Sequence, residues 1–245
     1  MTTAPENTPT SAPGQPTTDR VRGIFSTIAP KYDRFNRLSS MGIDRIWRRR
    51  TVRYAALTPE SAVLDLAAGT GDLTMAIARQ AAPEQVVSTD FVPEMLEIGK
   101  PKAARYRGRT KITFQVADAQ DLPFDDESFD AVTVAFGVRN LPDREANFRE
   151  VLRVLKPGGR YVILEFSTPA FAPFRALYHF YLRTVIPGLG GMLTGDRASF
   201  DYLNESILAF PDQRALAAAL SQTGFSSVQW HNLTMGIVAV HVAVK

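Results

Sequence analysis

Val63-Leu64-Asp65-Leu66-Ala67-Ala68-Gly69-Thr70-Gly71-Asp72-Leu73-Thr74 reads as a buried strand that ends in a small-residue turn and runs directly into a helix. Gly69 and Gly71 carry no Cβ, so a bulky ligand can lie over the turn at the N-terminus of that helix. A second strand, Gln85-Val86-Val87-Ser88-Thr89-Asp90, follows and ends in a carboxylate able to accept both hydroxyls of a ribose. The two elements predict a nucleotide-like ligand at the carboxyl ends of parallel strands.

Outward from this stretch the pattern repeats. A helix through Met95, Leu96 and Ile98 precedes Ile112–Val116, which alternates with period two. Phe129–Phe136 and Tyr161–Phe166 are near-continuous β-branched and aromatic runs, as strands covered on both faces require. Between them lies a helix, Arg144–Leu155, stopped by Lys156-Pro157-Gly158-Gly159. Strands alternating with helices at this spacing predict a parallel sheet with right-handed crossovers. The pattern then changes: a helix over 211–222 stops at Gly224, and Val228-Gln229-Trp230 and Ile237–Val242 flank a turn at Gly236 like an antiparallel edge pair. Spacing alone supports a doubly wound α/β fold.

The chain has 245 residues, 45% hydrophobic and 22% charged, enough for one large core without staples. It has no cysteine, which excludes a disulfide framework, a thiolate metal site and a cysteine nucleophile. His179, His231 and His241 are the only histidines, so no metal site is expected. No apolar run reaches membrane-spanning length. The net charge of +3 is unevenly spread: −2 over residues 1–19, +8 over 20–53, and −3 over 54–245. Residues 1–19, rich in Thr, Pro and Ala, are expected to be a disordered tail ahead of a single domain over 20–245. With no basic n-region or apolar h-region for secretion, the expected location is the cytoplasm.

The motifs narrow the ligand. Ala67 stands where a dinucleotide fingerprint has its first glycine, and an acid at the end of the first strand resembles enzymes that use S-adenosylmethionine (SAM) more than dehydrogenases. Ala117-Asp118-Ala119-Gln120-Asp121-Leu122-Pro123-Phe124, followed by Ser128-Phe129-Asp130, is similar to the adenine-side segment of SAM methyltransferases. Tyr32-Asp33-Arg34-Phe35-Asn36-Arg37-Leu38-Ser39-Ser40-Met41-Gly42-Ile43-Asp44-Arg45-Ile46-Trp47 resembles the N-terminal signature of the ubiquinone/menaquinone biosynthesis C-methyltransferases, the UbiE/MenG family. Arg153-Val154-Leu155-Lys156-Pro157-Gly158-Gly159, continuing to Leu164-Glu165-Phe166-Ser167, resembles the second signature, and Phe136-Gly137-Val138-Arg139-Asn140 is similar to the family's F-G-x-R-N. The chain departs from the family at Phe35 (usually Met), Asp44 (usually His) and Ala135 (often Ser); the second change removes one candidate proton acceptor.

The resemblance implies a Rossmann-like class I fold: seven strands, mostly parallel, with an antiparallel C-terminal hairpin. N-terminal basic helices over 20–56 and a helical lid insertion over 168–208 would complete it. It implies methyl transfer from SAM to a ring carbon of a demethylated prenyl quinol, demethylmenaquinol to menaquinol. The alternatives are the ubiquinone-pathway 2-polyprenyl-6-methoxy-1,4-benzoquinol or another small phenolic molecule. On matching positions, Gly69 and Thr70 would pack on the methionine portion, Asp90 hold the ribose, and Asp118 with Ala119 contact the adenine.

For the acceptor, the candidates are Arg139 to stabilise a developing oxyanion, Asn140 to orient the ring or a water, and Tyr32 as a donor to a quinol oxygen. Bland roles stand beside these: Arg139 pairing with an acid such as Asp143, Asn140 capping the next helix, Tyr32 packing in the core. Glu165 is a spare base, or simply half of a buried pair. An isoprenoid tail asks for an apolar path and a membrane surface. Arg45, Arg48, Arg49, Arg50 and Arg53 beside Ile46 and Trp47 suit peripheral contact with an anionic inner leaflet. Phe171, Phe174, Tyr178 and Tyr181 form an aromatic stripe suited to a lid. No nucleic-acid recognition motif accompanies the basic residues, and self-association is left open.

Overall fold

The computed structural model describes residues 17–194 and 197–245. Its centre is a seven-stranded sheet of order β3-β2-β1-β4-β5-β7-β6. The strands are β1 (Ala62–Leu66), β2 (Gln85–Asp90), β3 (Lys111–Val116), β4 (Phe129–Ala135), β5 (Leu155–Phe166), β6 (Ser227–Leu233) and β7 (Val238–Val244). β1 to β5 pair in parallel, whereas β7 runs antiparallel between β5 and β6. This is the doubly wound arrangement expected, antiparallel edge included.

Helices α1 (Thr18–Ser39) and α2 (Asp44–Tyr54) precede the sheet; α3 (Asp72–Gln80), α4 (Pro93–Ala104) and α5 (Arg144–Val154) are its crossovers. Between β5 and β6 come α6 (Ala172–Phe180), a wide turn over Tyr181–Val185, α7 (Ile186–Thr194), α8 (Arg197–Leu208) and α9 (Gln213–Thr223). Thr17 caps α1, so Thr18 and Asp19, read from sequence as tail, are helical; the rest of that tail, residues 1–16, lies outside the described residues. β5 starts at Leu155, earlier than the Tyr161 expected, because the Lys156–Gly159 stretch is absorbed as an irregular start with a register shift against β4. Gly158 takes φ +75° there, a left-handed conformation that glycine adopts without Cβ strain.

Both faces of the sheet are covered. One face packs Leu64, Val132 and Tyr161 against Phe148 of α5 and Leu216 and Leu220 of α9, and Tyr161 Oη donates to Asn147 Oδ1 at 2.8 Å, satisfying its buried hydroxyl. On the other, Trp47 of α2 packs on Phe136, Val162, Leu164 and Val240. A separate apolar cluster joins Phe35 of α1 to Tyr178, Leu182, Ile186, Phe200 and Ile207. The α6–α8 insertion therefore folds back onto α1 above the carboxyl ends of the strands, and Tyr181 Oη fastens it by donating to the Ser39 carbonyl at 2.7 Å.

The basic segment is not one uniform surface. Arg45, Arg49, Arg50 and Arg53 are exposed, but Trp47 and Arg48 are buried. Helical periodicity turns positions 44, 47, 48, 51 and 52 inward together.

Candidate active site

The turn after β1 is held from below. Asp65, fully buried, accepts hydrogen bonds from Thr74 Oγ1 (2.6 Å) and Thr133 Oγ1 (2.8 Å). Burial outweighs those bonds and the nearby Arg48 guanidinium, and the carboxyl is pushed up to about 6. Above this strut Ala67, Gly69 and Gly71 adopt φ of +46°, +57° and +78°. The Gly69 amide donates to Asp90 Oδ2 at 2.8 Å, and the Val92 amide to Asp90 Oδ1 at 2.9 Å. Burial raises the Asp90 carboxyl to about 6 against these bonds. Each of its oxygens keeps acceptor capacity beyond the one amide it receives.

Two clefts open on either side of Ala67. One, about 40 Å³, is bordered by Asp90, Asp118, Ala119 and Asn140, with Thr18 and Val21 of α1 as its outer wall. The other, about 20 Å³, is bordered by Ala68, Gly69 and Thr70, with Tyr32 and Arg48 across from them. The residues suit an elongated nucleoside with an amino-acid end: a backbone-lined turn, a buried carboxylate with spare lone pairs, and small apolar walls. The space is closed by α1, since a ligand of that class occupies a site of roughly 300 Å³ or more.

The groups that hold α1 down carry little sequence signal. Thr70 Oγ1 donates to Asp33 Oδ1 at 2.5 Å. Lys102 Nζ of α4 reaches Asp33 Oδ2 (2.6 Å), Asp72 Oδ1 (2.7 Å) and Thr70 Oγ1 (3.0 Å). Asp33 lies inside the first signature, but nothing in sequence marks Lys102, which comes from a crossover helix. The Thr70 hydroxyl is thus occupied by protein.

Beside the smaller cleft lies an apolar cavity of about 580 Å³, lined from α1, α2, the ends of β4 and β5, and α6 to α8. Tyr32 and Arg48 line both spaces, so the cavity and the turn share a wall. The aromatic stripe divides: Phe174, Tyr178 and Tyr181 line the cavity, while Phe171 is exposed. Burial drives the Tyr178 phenol well above its ordinary range.

Arg139 lines the cavity and Asn140 does not. The residues Val138–Asn140 form a single tight turn after β4, in which successive side chains point in different directions. Arg139, with 3% of its side chain exposed, pairs through Nη1 with Glu165 Oε1 at 2.9 Å, and Nη1 also donates to the Phe136 carbonyl. Glu165 additionally accepts the Arg139 and Phe166 amides at 3.3 and 2.9 Å. Glu165, a spare base from sequence, is thus the partner that orients Arg139; Asp143 instead caps α5 by accepting the Ala146 amide at 2.9 Å. Asn140 borders the cleft beside Asp90 and Asp118, its amide donating to the Phe136 carbonyl (3.4 Å) and its oxygen accepting Tyr202 Oη (3.2 Å). Asn140, expected to orient the acceptor ring or a water, thus borders the cleft beside Asp90 rather than the apolar cavity. Tyr32 is half-buried, edge-on to Phe25 at 5.8 Å between centroids.

Known proteins resemble this chain over most of its length. The sequence profile of the ubiE/COQ5 methyltransferase family matches residues 15–245. A Geotalea daltonii protein named ubiquinone/menaquinone biosynthesis C-methyltransferase UbiE is 45% identical, over 93% of this chain and 97% of its own. Demethylmenaquinone methyltransferases of Clavibacter sepedonicus and Thermus thermophilus are 46% and 47% identical, over 95% and 89% of this chain and 91% and 98% of theirs. Among solved structures, a SAM-dependent methyltransferase from Thermotoga maritima superposes with TM-score 0.64 at 18% identity, covering 91% of this chain and 99% of that one. The [4+2]-cyclase SpnF superposes with TM-score 0.63 at 16% identity, covering 95% and 97%. At such identities these structures establish the fold alone, and the cyclase illustrates that one scaffold hosts more than one chemistry.

Proposed function

The chain belongs to the ubiE/COQ5 methyltransferase family, and from that premise we propose that it methylates a ring carbon of a demethylated prenyl quinol, demethylmenaquinol to menaquinol, with SAM as donor. The menaquinone assignment draws on the names of the Clavibacter and Thermus relatives; the ubiquinone-pathway benzoquinol is the competing acceptor. One observation carries the reading: a 580 Å³ apolar cavity meets the Gly69–Thr70 turn across a shared wall and holds a buried guanidinium.

SAM, when bound, supplies an electrophilic methyl group. Gly69 and Thr70 would pack on its methionine portion, Asp90 would take the ribose hydroxyls, and Asp118 with Ala119 would border the adenine. The acceptor carbon is nucleophilic once the neighbouring hydroxyl has lost its proton. Arg139, fixed by Glu165, favours that oxyanion by placing a cation in a water-poor cavity, where its field is weakly screened. Tyr32 donates a second hydrogen bond from α1. The aromatic walls from Phe35 to Phe200 exclude water and align the ring with the turn. Asn140, on the nucleoside side, serves the cofactor cleft.

The cavity also has a surface to feed it. Met41, Leu177, Phe180 and Val185 line it and are nevertheless 81%, 62%, 60% and 39% exposed. Arg45, Arg49, Arg50 and Arg53 stand exposed on nearby α2. No helix among the described residues is long and apolar enough to cross a membrane. An apolar rim with basic flanks suits peripheral contact with an anionic leaflet in which the quinol resides.

The test supplies purified protein with labelled SAM and, separately, demethylmenaquinol, the demethylated ubiquinone precursor and simple phenols, with products read by mass spectrometry. Methylated menaquinol in preference to the others is expected; transfer only to simple phenols removes the prenyl-quinol assignment. Co-sedimentation with anionic but not neutral vesicles is the matching outcome for the membrane, and absence of both sinks it.

A further inference from the structure

Arg48 lines the same cavity as Arg139, and it repeats the design of Arg139. Its Nη1 pairs with Asp44 Oδ2 at 2.8 Å, with 9% of each side chain exposed, and Ser40 Oγ holds the other Asp44 oxygen at 3.0 Å. Its guanidinium lies over the Phe136 ring at 5.4 Å, as that of Arg139 lies over Phe166 at 5.4 Å, and the two phenyl rings are themselves 4.7 Å apart. In both arginines the Nε–H is buried and has no hydrogen-bond partner in the protein. A buried, ionised donor left unmatched is costly, and such donors are retained where a ligand completes them. Two guanidiniums, each set over one of two neighbouring tilted rings and each paired with one carboxylate, line one cavity and form a complementary frame for an aromatic ring bearing two oxygens.

Resting on the quinol reading above, we propose that Arg48 binds the second ring oxygen of the acceptor, para to the oxygen held by Arg139. Arg48 also borders the cleft under Gly69 and Thr70, so the shared chemistry is an anionic or hydroxyl oxygen, and the cofactor's carboxylate is the other source. The quinol is favoured because the aromatic frame continues through Phe136 and Phe166 to Arg139 and the cavity, whereas the cleft side presents Asp65 and Asp72 to any carboxylate.

The experiment compares wild type with Arg48→Gln and Arg48→Lys, using a prenylated naphthoquinol and its analogue lacking the distal hydroxyl. The quinol KM is expected to rise at least tenfold in Arg48→Gln and less in Arg48→Lys. Adenosylhomocysteine affinity, by titration calorimetry, should stay within twofold. On the mono-hydroxyl analogue the variants and wild type should differ little, a signature that simple misfolding does not produce. Equal penalties on both acceptors overturn the proposal and leave Arg48 a packing residue. Loss of adenosylhomocysteine affinity by the same factor overturns it in favour of the cofactor carboxylate. Wild-type turnover of the quinol in the same assay separates failure of this idea from failure of the functional reading. Fluorescence quenching of Trp47, which lines the cavity, by the unreactive quinone reports acceptor binding without turnover, and equal quenching in wild type and Arg48→Gln also overturns the proposal.

Discussion

The crevice over Ala67–Gly71 and the cavity beneath α6 to α8 share Tyr32 and Arg48 as a wall, yet they are assembled by different means. The crevice is made of backbone and short side chains at strand ends, drawn from three consecutive strand–turn units. The cavity is made largely of aromatic side chains from α1, α2, the ends of β4 and β5 and a late insertion, joined by packing and by the Tyr181–Ser39 hydrogen bond. Rigid parallel strands thus present a polar, pre-shaped seat, while helices contribute an adaptable apolar chamber. On the proposed function the reaction takes place where they meet, so perturbations on each side should separate into donor effects and acceptor effects.

The most damaging break is at Arg139. Arg139→Ala is expected to lower turnover by about a thousandfold, the scale of one lost oxyanion donor, with adenosylhomocysteine affinity nearly intact. It also strands Glu165 at 1% exposure, which costs about 3–5 kcal/mol. The paired variant Arg139→Gln/Glu165→Gln removes that burden; a normal melting temperature with turnover still lost would assign the effect to chemistry.

On the opposite side, Asp90→Asn should weaken adenosylhomocysteine about tenfold or more without raising the quinol KM, since hydrogen bonds to charged groups contribute about 1.5–3 kcal/mol. Asp90 also sets a pH signature. Its carboxyl and that of Asp65 are raised to about 6 by burial. Their contribution to the stability of the unliganded chain is present below the ordinary carboxylate pKa and is lost as pH rises through about 6. Cofactor binding favours the ionised Asp90, so affinity should run the other way and fall as pH drops through about 6. Calorimetric titrations from pH 5 to 8 on wild type and Asp90→Asn read this directly; identical profiles would exclude Asp90 as the titrating group.

A third test probes the crevice floor. A Cβ added at Gly137 would lie 2.6 Å from Ala67 Cβ and 3.0 Å from Val134 Cγ2. Gly137→Ala should therefore cost about 1–3 kcal/mol by overpacking, read as a lower melting temperature and weaker donor binding. Adding Ala67→Gly relieves the contact at a residue already at φ +46°, and partial recovery is expected. The smallest effect belongs to the α1 latch. Asp33 and Lys102 side chains are 29% and 27% exposed, so Asp33→Asn should cost under about 1 kcal/mol. Faster adenosylhomocysteine release and faster proteolysis within α1 would mark it as a gate; unchanged release would reduce it to a surface pair.

The doubly wound sheet and the position of its small-residue turn were legible because each rests on short-range pattern. Asp65, Gly69 and Asp90 sit at strand ends that periodicity alone locates, and glycine at a left-handed turn has a local cause. The acceptor side was legible only in part. Arg139 reached the cavity, but Asn140, its neighbour, turned to the other cleft because a tight turn separates adjacent side chains. Arg48, grouped by composition with a basic surface, proved buried, since helix α2 presents one face to the sheet. Glu165 was seen as an acid at a strand end, yet its pairing with Arg139 links residues 26 apart in sequence.

Local periodicity, glycine placement and the acid-terminated strands were sufficient to specify a doubly wound sheet with a left-handed, small-residue turn after its first strand, because those features depend on neighbours within a few residues. Which guanidiniums face the apolar chamber, how α1 is latched by Lys102, and where the α6–α8 insertion lands depend on contacts between distant segments. Those contacts form only when the helices bury their apolar faces together, and no local pattern encodes that choice.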